Sequence, residues 1–136
     1  MFKVVIDANV WISALLSPGK SRKIRAAVDG HAFELYYSAE MLIDLQDALS
    51  KPRLKAKIPV QDATELLMLI EEEAILVELS TYLAVSRDPD DDVYLACAAQ
   101  SSCDFVVTGD DDLLCLKEHA GVKIVTPAQL LEILDL

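Results

Sequence analysis

Apolar residues along the chain fall into short solid runs separated by stretches with helical spacing. Val4-Val5-Ile6 is a solid run, and Lys3 to Asp7 is expected as a first strand. Asn9 to Leu16 continues as a helix, expected to bury Trp11, Ile12, Leu15 and Leu16, until Ser17-Pro18-Gly19 breaks it. Ser21 is expected to cap a second helix running to about Asp29 and closed by Gly30. Phe33 to Tyr37 reads as a second strand ending at Ser38, and Ala39 to Ser50 as an amphipathic helix stopped by Pro52. Lys51 to Pro59 is basic and loop-like, Gln61 to Glu73 is helical, and Ile75 to Leu79 is a short strand. An acidic turn from Arg87 to Asp92 opens a helix to about Ser101. Phe105 to Thr108 is a strand followed by a turn from Gly109 to Asp112. Lys123 to Thr126 is the last strand, and Pro127 opens the last helix. Solid apolar strands of about five residues alternating with helices predict an α/β fold, a parallel sheet of four to five strands covered on both faces.

The 136 residues suit one domain, residues 1–136, with no repeat or linker. With 53% hydrophobic residues, the chain can build a core. No apolar run approaches the roughly 18 residues of a membrane span, and Met1-Phe2-Lys3 leads straight into the first strand without a signal peptide; a cytoplasmic protein is expected. Cys97, Cys103 and Cys115 are odd in number and lack CxxC spacing, which predicts small buried or partly buried thiols rather than zinc ligands or disulfides. His31 and His119 lie in polar turns and are expected at the surface.

The net charge of −11 argues at first against a partner with a phosphate backbone. The basic residues are nonetheless clustered, as Lys20, Arg22, Lys23 and Arg25 and as Lys51, Arg53, Lys55 and Lys57. A solvated helix face would produce the same pattern. Bound cations would also offset part of the acidic charge.

The placement of the acids carries more information than their number. Asp7 ends the first strand, where an open α/β sheet presents its ligand groups, although it could equally cap the following helix. If Asn9 caps instead, Asp7 is left for chemistry. On the third helix the apolar stripe is Met41, Leu42, Leu45, Ala48 and Leu49. At about 100° per residue Asp44 borders that stripe, while Glu40 and Asp47 lie further round. Asp88, Asp90, Asp91 and Asp92 precede a helix that is apolar almost all round, and Asp92 stands nearest its buried part. Asp110, Asp111 and Asp112 follow a buried strand; Asp110 and Asp112 are expected at the edge with Asp7, and Asp111 in water. Carboxylates converging on one edge raise each other's pKa values unless a cation joins them. Oxygen donors without nearby His or Cys select Mg²⁺ or Mn²⁺, and such a site handles phosphate esters through water.

These stretches resemble the PIN-domain ribonucleases, in particular the toxins of type II toxin–antitoxin modules. The likeness runs through Val5-Ile6-Asp7-Ala8-Asn9, Ser38 to Leu45, Arg87 to Ala96, Val106 to Leu114 and Val125 to Leu131, in order along the chain. It implies a three-layer sandwich around a parallel sheet. It implies catalytic acids at Asp7, Asp44, Asp92 and Asp110, with Asp44 standing where the family usually has glutamate and Glu40 as the substitute candidate. It implies metal ligation by Asp7, Asp92, Asp110 and Asp112, and support from Asn9 and Thr108. The implied activity is Mg²⁺- or Mn²⁺-dependent endoribonuclease cleavage by water, leaving a 5′-phosphate. The implied partners are an RNA substrate, a second copy in a homodimer and a small antitoxin over the active site. Arg22, Lys23, Arg53 and Lys55 are the candidate RNA contacts.

Three other readings compete. A haloacid-dehalogenase-type phosphatase would also place an Asp after the first strand, but would want a second Asp where this chain has Asn9. A degenerate, non-catalytic PIN module would serve only to bind. Ala14 to Ser21 satisfies a loose P-loop pattern, yet it continues a helix and has only Gly19 for flexibility.

Overall fold

The structure, a computed structural model, describes residues 1–79 and 92–136, with the side chain of Asp92 outside the description. In chain order the elements are β1 (Lys3–Ile6), α1 (Ala8–Leu16), α2 (Lys20–Asp29), β2 (Glu34–Tyr37), α3 (Ala39–Leu49), α4 (Pro52–Lys55), α5 (Val60–Glu73), β3 (Ile75–Leu76), α6 (Asp92–Gln100), β4 (Phe105–Val107), α7 (Asp111–Leu114), β5 (Glu118–His119), β6 (Val122–Val125) and α8 (Pro127–Leu134).

Among the described residues the strands form one sheet of six in the order β3-β2-β1-β4-β6-β5. Every neighbouring pair is parallel except β5 with β6. Helices flank this sheet in a three-layer α/β sandwich. β1 lies between β2 and β4, and Val4, Val5 and Ile6 are all buried, which is why the strand reads as a solid apolar run. α6 packs on β1, β2 and β4, while α1 packs on α2, α3 and α5.

Register brings the strand ends level. Ile6 pairs with Val107, and Val107 pairs with Val125. The next residue of each strand extends the ladder: Asp7 N–H donates to the Val107 carbonyl and Thr108 N–H to the Val125 carbonyl, both at 3.0 Å. Helices start at this same edge. Asp7 caps α1, Ser38 caps α3 and Thr126 caps α8 through a capping box with Gln129.

Several local expectations need correction. The parallel part of the described sheet has five strands, within the expected four to five, and β5 adds a sixth, antiparallel strand by pairing with β6 in a hairpin. That hairpin turns at Ala120 and Gly121, both at positive φ. α2 starts at Lys20 with Gly19 as its cap, so Ser21 lies inside the helix. Lys51 to Pro59 is not all loop: α4 forms there, with Pro52 at its first turn, and the segment buries Leu54 and Ile58. β3 ends at Leu76, although Val77 N–H still reaches the Tyr37 carbonyl at 2.7 Å. In α1, Trp11 is buried and Ile12 and Leu15 partly so, but Leu16 is exposed. His31 is exposed as expected, while His119 is half-buried in the hairpin. The turn expected from Arg87 lies outside the described residues as far as Asp91.

Cys97 and Cys103 are buried thiols as expected, whereas Cys115 is exposed. No helix among the described residues is long and apolar enough to cross a membrane.

Candidate active site

The carboxyl edge of β1 and β4 is built around Asp7, a carboxylate with only 3% of its surface exposed. Its Oδ1 accepts the Asn9 backbone N–H at 3.0 Å, and its Oδ2 accepts the Thr108 hydroxyl at 2.6 Å. Asp7, rather than Asn9, therefore caps α1, and the exposed Asn9 contributes its amide. Capping does not exhaust Asp7, because each oxygen of a carboxylate can accept more than one bond. Burial holds the Asp7 carboxyl above its ordinary value. The bonds from Thr108 and Asn9 oppose that rise, and the negative charges of Asp110 and Asp44 add to it.

Thr108 is fully buried and couples two acids. Its hydroxyl donates to Asp7 and accepts the Asp110 N–H at 3.0 Å. Asp110 in turn caps α7, its Oδ1 accepting the Asp112 N–H at 2.9 Å. Asp110 and Asp112 are half-buried, while Asp111 is exposed.

Asp44 enters from α3. It is half-buried, whereas Glu40 and Asp47 on the same helix are exposed, as the helical angles predict. Its Oδ2 accepts the hydroxyl of Tyr94 on α6 at 3.1 Å. The backbone N–H of Ala8 donates to that same phenol oxygen at 3.4 Å. Sequence reasoning missed Tyr94 because its neighbours, Val93, Leu95 and Ala96, mark it as a core residue. Asp92 is the first residue of α6, and its side chain lies outside the description.

Asp7, Asp44 and Asp110 therefore share one local field. The donors are carboxylate oxygens, the chemistry of a hard divalent cation. Among the described residues no group of three His, Cys, Asp or Glu side chains is arranged to hold a metal ion. The side chain of Asp92 stands outside that test.

Beside Asp110 opens a cleft of about 600 Å³, lined by Asn9, Val10, Ser13, Ser21, Gly109, Asp110, Asp111 and Pro127. The candidate basic residues lie on α2 and α4, and none of them lines this cleft. Lys23 is exposed on α2, the helix that supplies Ser21 to this cleft. Arg22 is exposed too, but its Nε donates to the Ala14 carbonyl at 3.1 Å, and it lines a second cleft between α1, α2 and α5. Arg53 and Lys55 are exposed on α4.

A PIN domain model matches residues 3–112. The chain belongs to the PIN domain family. Proteins of this family are generally nucleases, and PIN nucleases typically use divalent metals. Membership sets aside the haloacid-dehalogenase reading. The chain is 28% identical over 140 residues to an uncharacterized protein of Methanocaldococcus jannaschii, a match covering 96% of this chain and 90% of that one. In fold it is similar to the crystal structure of VapBC2 from Rickettsia felis bound to a DNA fragment from their promoter. That likeness has a TM-score of 0.61 at 11% identity and covers 92% of this chain and 98% of the other.

Proposed function

We propose that this PIN domain is a Mg²⁺- or Mn²⁺-dependent endoribonuclease acting as the toxin of a toxin–antitoxin pair. The observation that carries the reading is the buried Asp7 carboxylate, bonded to Thr108 and to the Asn9 backbone N–H, with the charges of Asp110 and Asp44 near enough to add to the rise that burial causes. A structural helix cap needs one donor and has no use for two further acids beside it. Like charges kept together at a sheet edge are destabilising on their own, so the arrangement suits a cation.

Asp7, Asp92, Asp110 and Asp112 would hold the metal, with Asp44 as the remaining catalytic acid. When bound, the metal supplies positive charge for the phosphodiester oxygens and makes water acidic enough to attack phosphorus. Thr108 and the Asn9 amide hold both Asp7 oxygens, so the carboxylate needs no reorganisation on binding. The first turn of α1 adds the positive end of its dipole at the same point. The cleft beside Asp110 gives a nucleotide room to lie, with the uncharged groups of Asn9, Ser13 and Ser21 along its wall. Lys23, Arg53 and Lys55 are proposed phosphate contacts; Arg22 joins them only through the guanidinium nitrogens that Ala14 does not use.

The VapBC2 complex is the model for a partnership with a small antitoxin, and a homodimer follows from the same toxin reading. The test is incubation with total RNA in Mn²⁺, in Mg²⁺ and in EDTA. Cleavage in both metals and none in EDTA is expected, with 5′-phosphate ends. RNA left intact under all three conditions would favour a non-catalytic binding module. Growth arrest on induced expression, relieved by Asp7→Asn, tests the toxin role.

A further inference from the structure

Tyr94 stands in the core yet uses its hydroxyl at the edge of the acidic site. It is 2% exposed, and its ring lines a small apolar cavity with Ile6, Trp11, Met41 and Leu45. A phenylalanine would fill that space equally well. What the phenol adds is a polar tip that meets two groups from other elements, the Asp44 carboxylate of α3 and the Ala8 N–H of α1.

The direction of both bonds follows from the inventory of protons. A backbone N–H can only donate, so the phenol oxygen accepts from Ala8. The single phenolic proton is then left for Asp44 Oδ2, which as a carboxylate can only accept. Burial and the nearby charges of Asp7 and Asp44 keep the phenol protonated, well above its ordinary value. One hydroxyl thus ties Asp44 to the residue that follows Asp7, although the three positions are separated in sequence by 50 and 86 residues.

We propose that Tyr94 is a positioning residue of the nuclease, its hydroxyl holding the Asp44 carboxylate beside Asp7. This rests on the nuclease reading above. Asp44 is half-buried and carries the same charge as Asp7, so repulsion favours its turning toward water. A lysine or arginine could hold it, but would bring a positive charge that competes with a cation. A neutral phenol restrains Asp44 and leaves both negative charges in place. It also gives Ala8 N–H, in the first turn of α1 where amides lack helical partners, an acceptor.

The test is a double-mutant cycle with Tyr94→Phe and Asp44→Asn, read by RNA cleavage and by Mn²⁺ affinity from calorimetry. Tyr94→Phe keeps the ring, and its circular dichroism should match wild type. Its kcat and its Mn²⁺ affinity should each fall about 10- to 100-fold, as for other partners that orient groups around a metal, because the Asp44 charge is no longer held beside Asp7; KM for RNA should be unchanged. The double variant should be no worse than Asp44→Asn alone, because the hydroxyl acts through that carboxylate. Wild-type behaviour of Tyr94→Phe, or losses that multiply in the double variant, would overturn the proposal. A wild type that binds Mn²⁺ without cutting RNA would refute the nuclease reading, and the binding cycle would still decide the role of Tyr94. A wild type that neither binds nor cuts refutes both.

Discussion

Thr108 and Asp7 lie 101 residues apart in sequence, and the hydroxyl of one meets the carboxylate of the other at 2.6 Å. The same hydroxyl accepts the Asp110 N–H, so one buried side chain orders acids that follow two neighbouring strands. Its placement follows from register, since β1 and β4 end level and the next residue of each is carried to the same edge.

Thr108→Val preserves shape but removes both bonds. It leaves the Asp110 amide without this acceptor and the buried Asp7 without this donor. The expected cost is about 1–3 kcal/mol in urea unfolding, together with a loss of RNA cleavage. Thr108→Ser keeps the hydroxyl and should retain most of both. Equal stability of the valine variant and wild type would show that the bond is not needed.

Mn²⁺ should raise the melting temperature of the wild type, because a cation bound only to the folded state stabilises it and relieves the repulsion at Asp7. At about 100 times the dissociation constant the gain approaches 2.7 kcal/mol. EDTA should reverse it, and Asp7→Asn should show a smaller shift. Coincident wild-type melting curves with and without Mn²⁺ would count against the site.

The strands and the acids were legible in the sequence for the same reason. Val4 to Ile6 and Phe105 to Val107 are buried and apolar throughout, so the polar residues that end them stand out. Asp44 could be told from Glu40 and Asp47 by helical angle alone, because the stripe from Met41 to Leu49 faces the core. What escaped lacks an apolar pattern or depends on distant partners. β5 is only Glu118 and His119, polar residues on an edge strand. α4 buries a single residue, Leu54, within a basic stretch. Tyr94 reads as core because most of it is core, and only the fold brings its oxygen to Asp44. Gly19 replaces Ser21 as the cap of α2 because the helix starts one residue before the serine.

The cysteines give a prediction independent of catalysis. Cys97 and Cys103 are buried, and burial pushes both thiols up to about 12, whereas Cys115 is exposed. A thiol reagent at pH 8 should modify one cysteine in the native protein and all three in denaturant. In the unfolded chain these thiols ionise near 9. Their contribution to stability is thus fully present below about pH 9 and is lost as the pH rises toward 12. The urea midpoint should fall over that range, and less steeply in Cys97→Ala. Rapid labelling of all three native thiols would contradict the burial.

The most direct measurement compares wild type and Asp7→Asn on the same RNA in Mn²⁺, after circular dichroism has shown both to be folded. Asn is the same size as Asp, and its one carbonyl oxygen can still accept the Asn9 backbone N–H while its NH2 turns to the Thr108 hydroxyl oxygen, but it removes the negative charge. The account predicts metal-dependent cleavage by wild type and a loss of at least about 100-fold in the variant, a large part of the several kcal/mol that a catalytic metal supplies. Equal cleavage by the two proteins would contradict it.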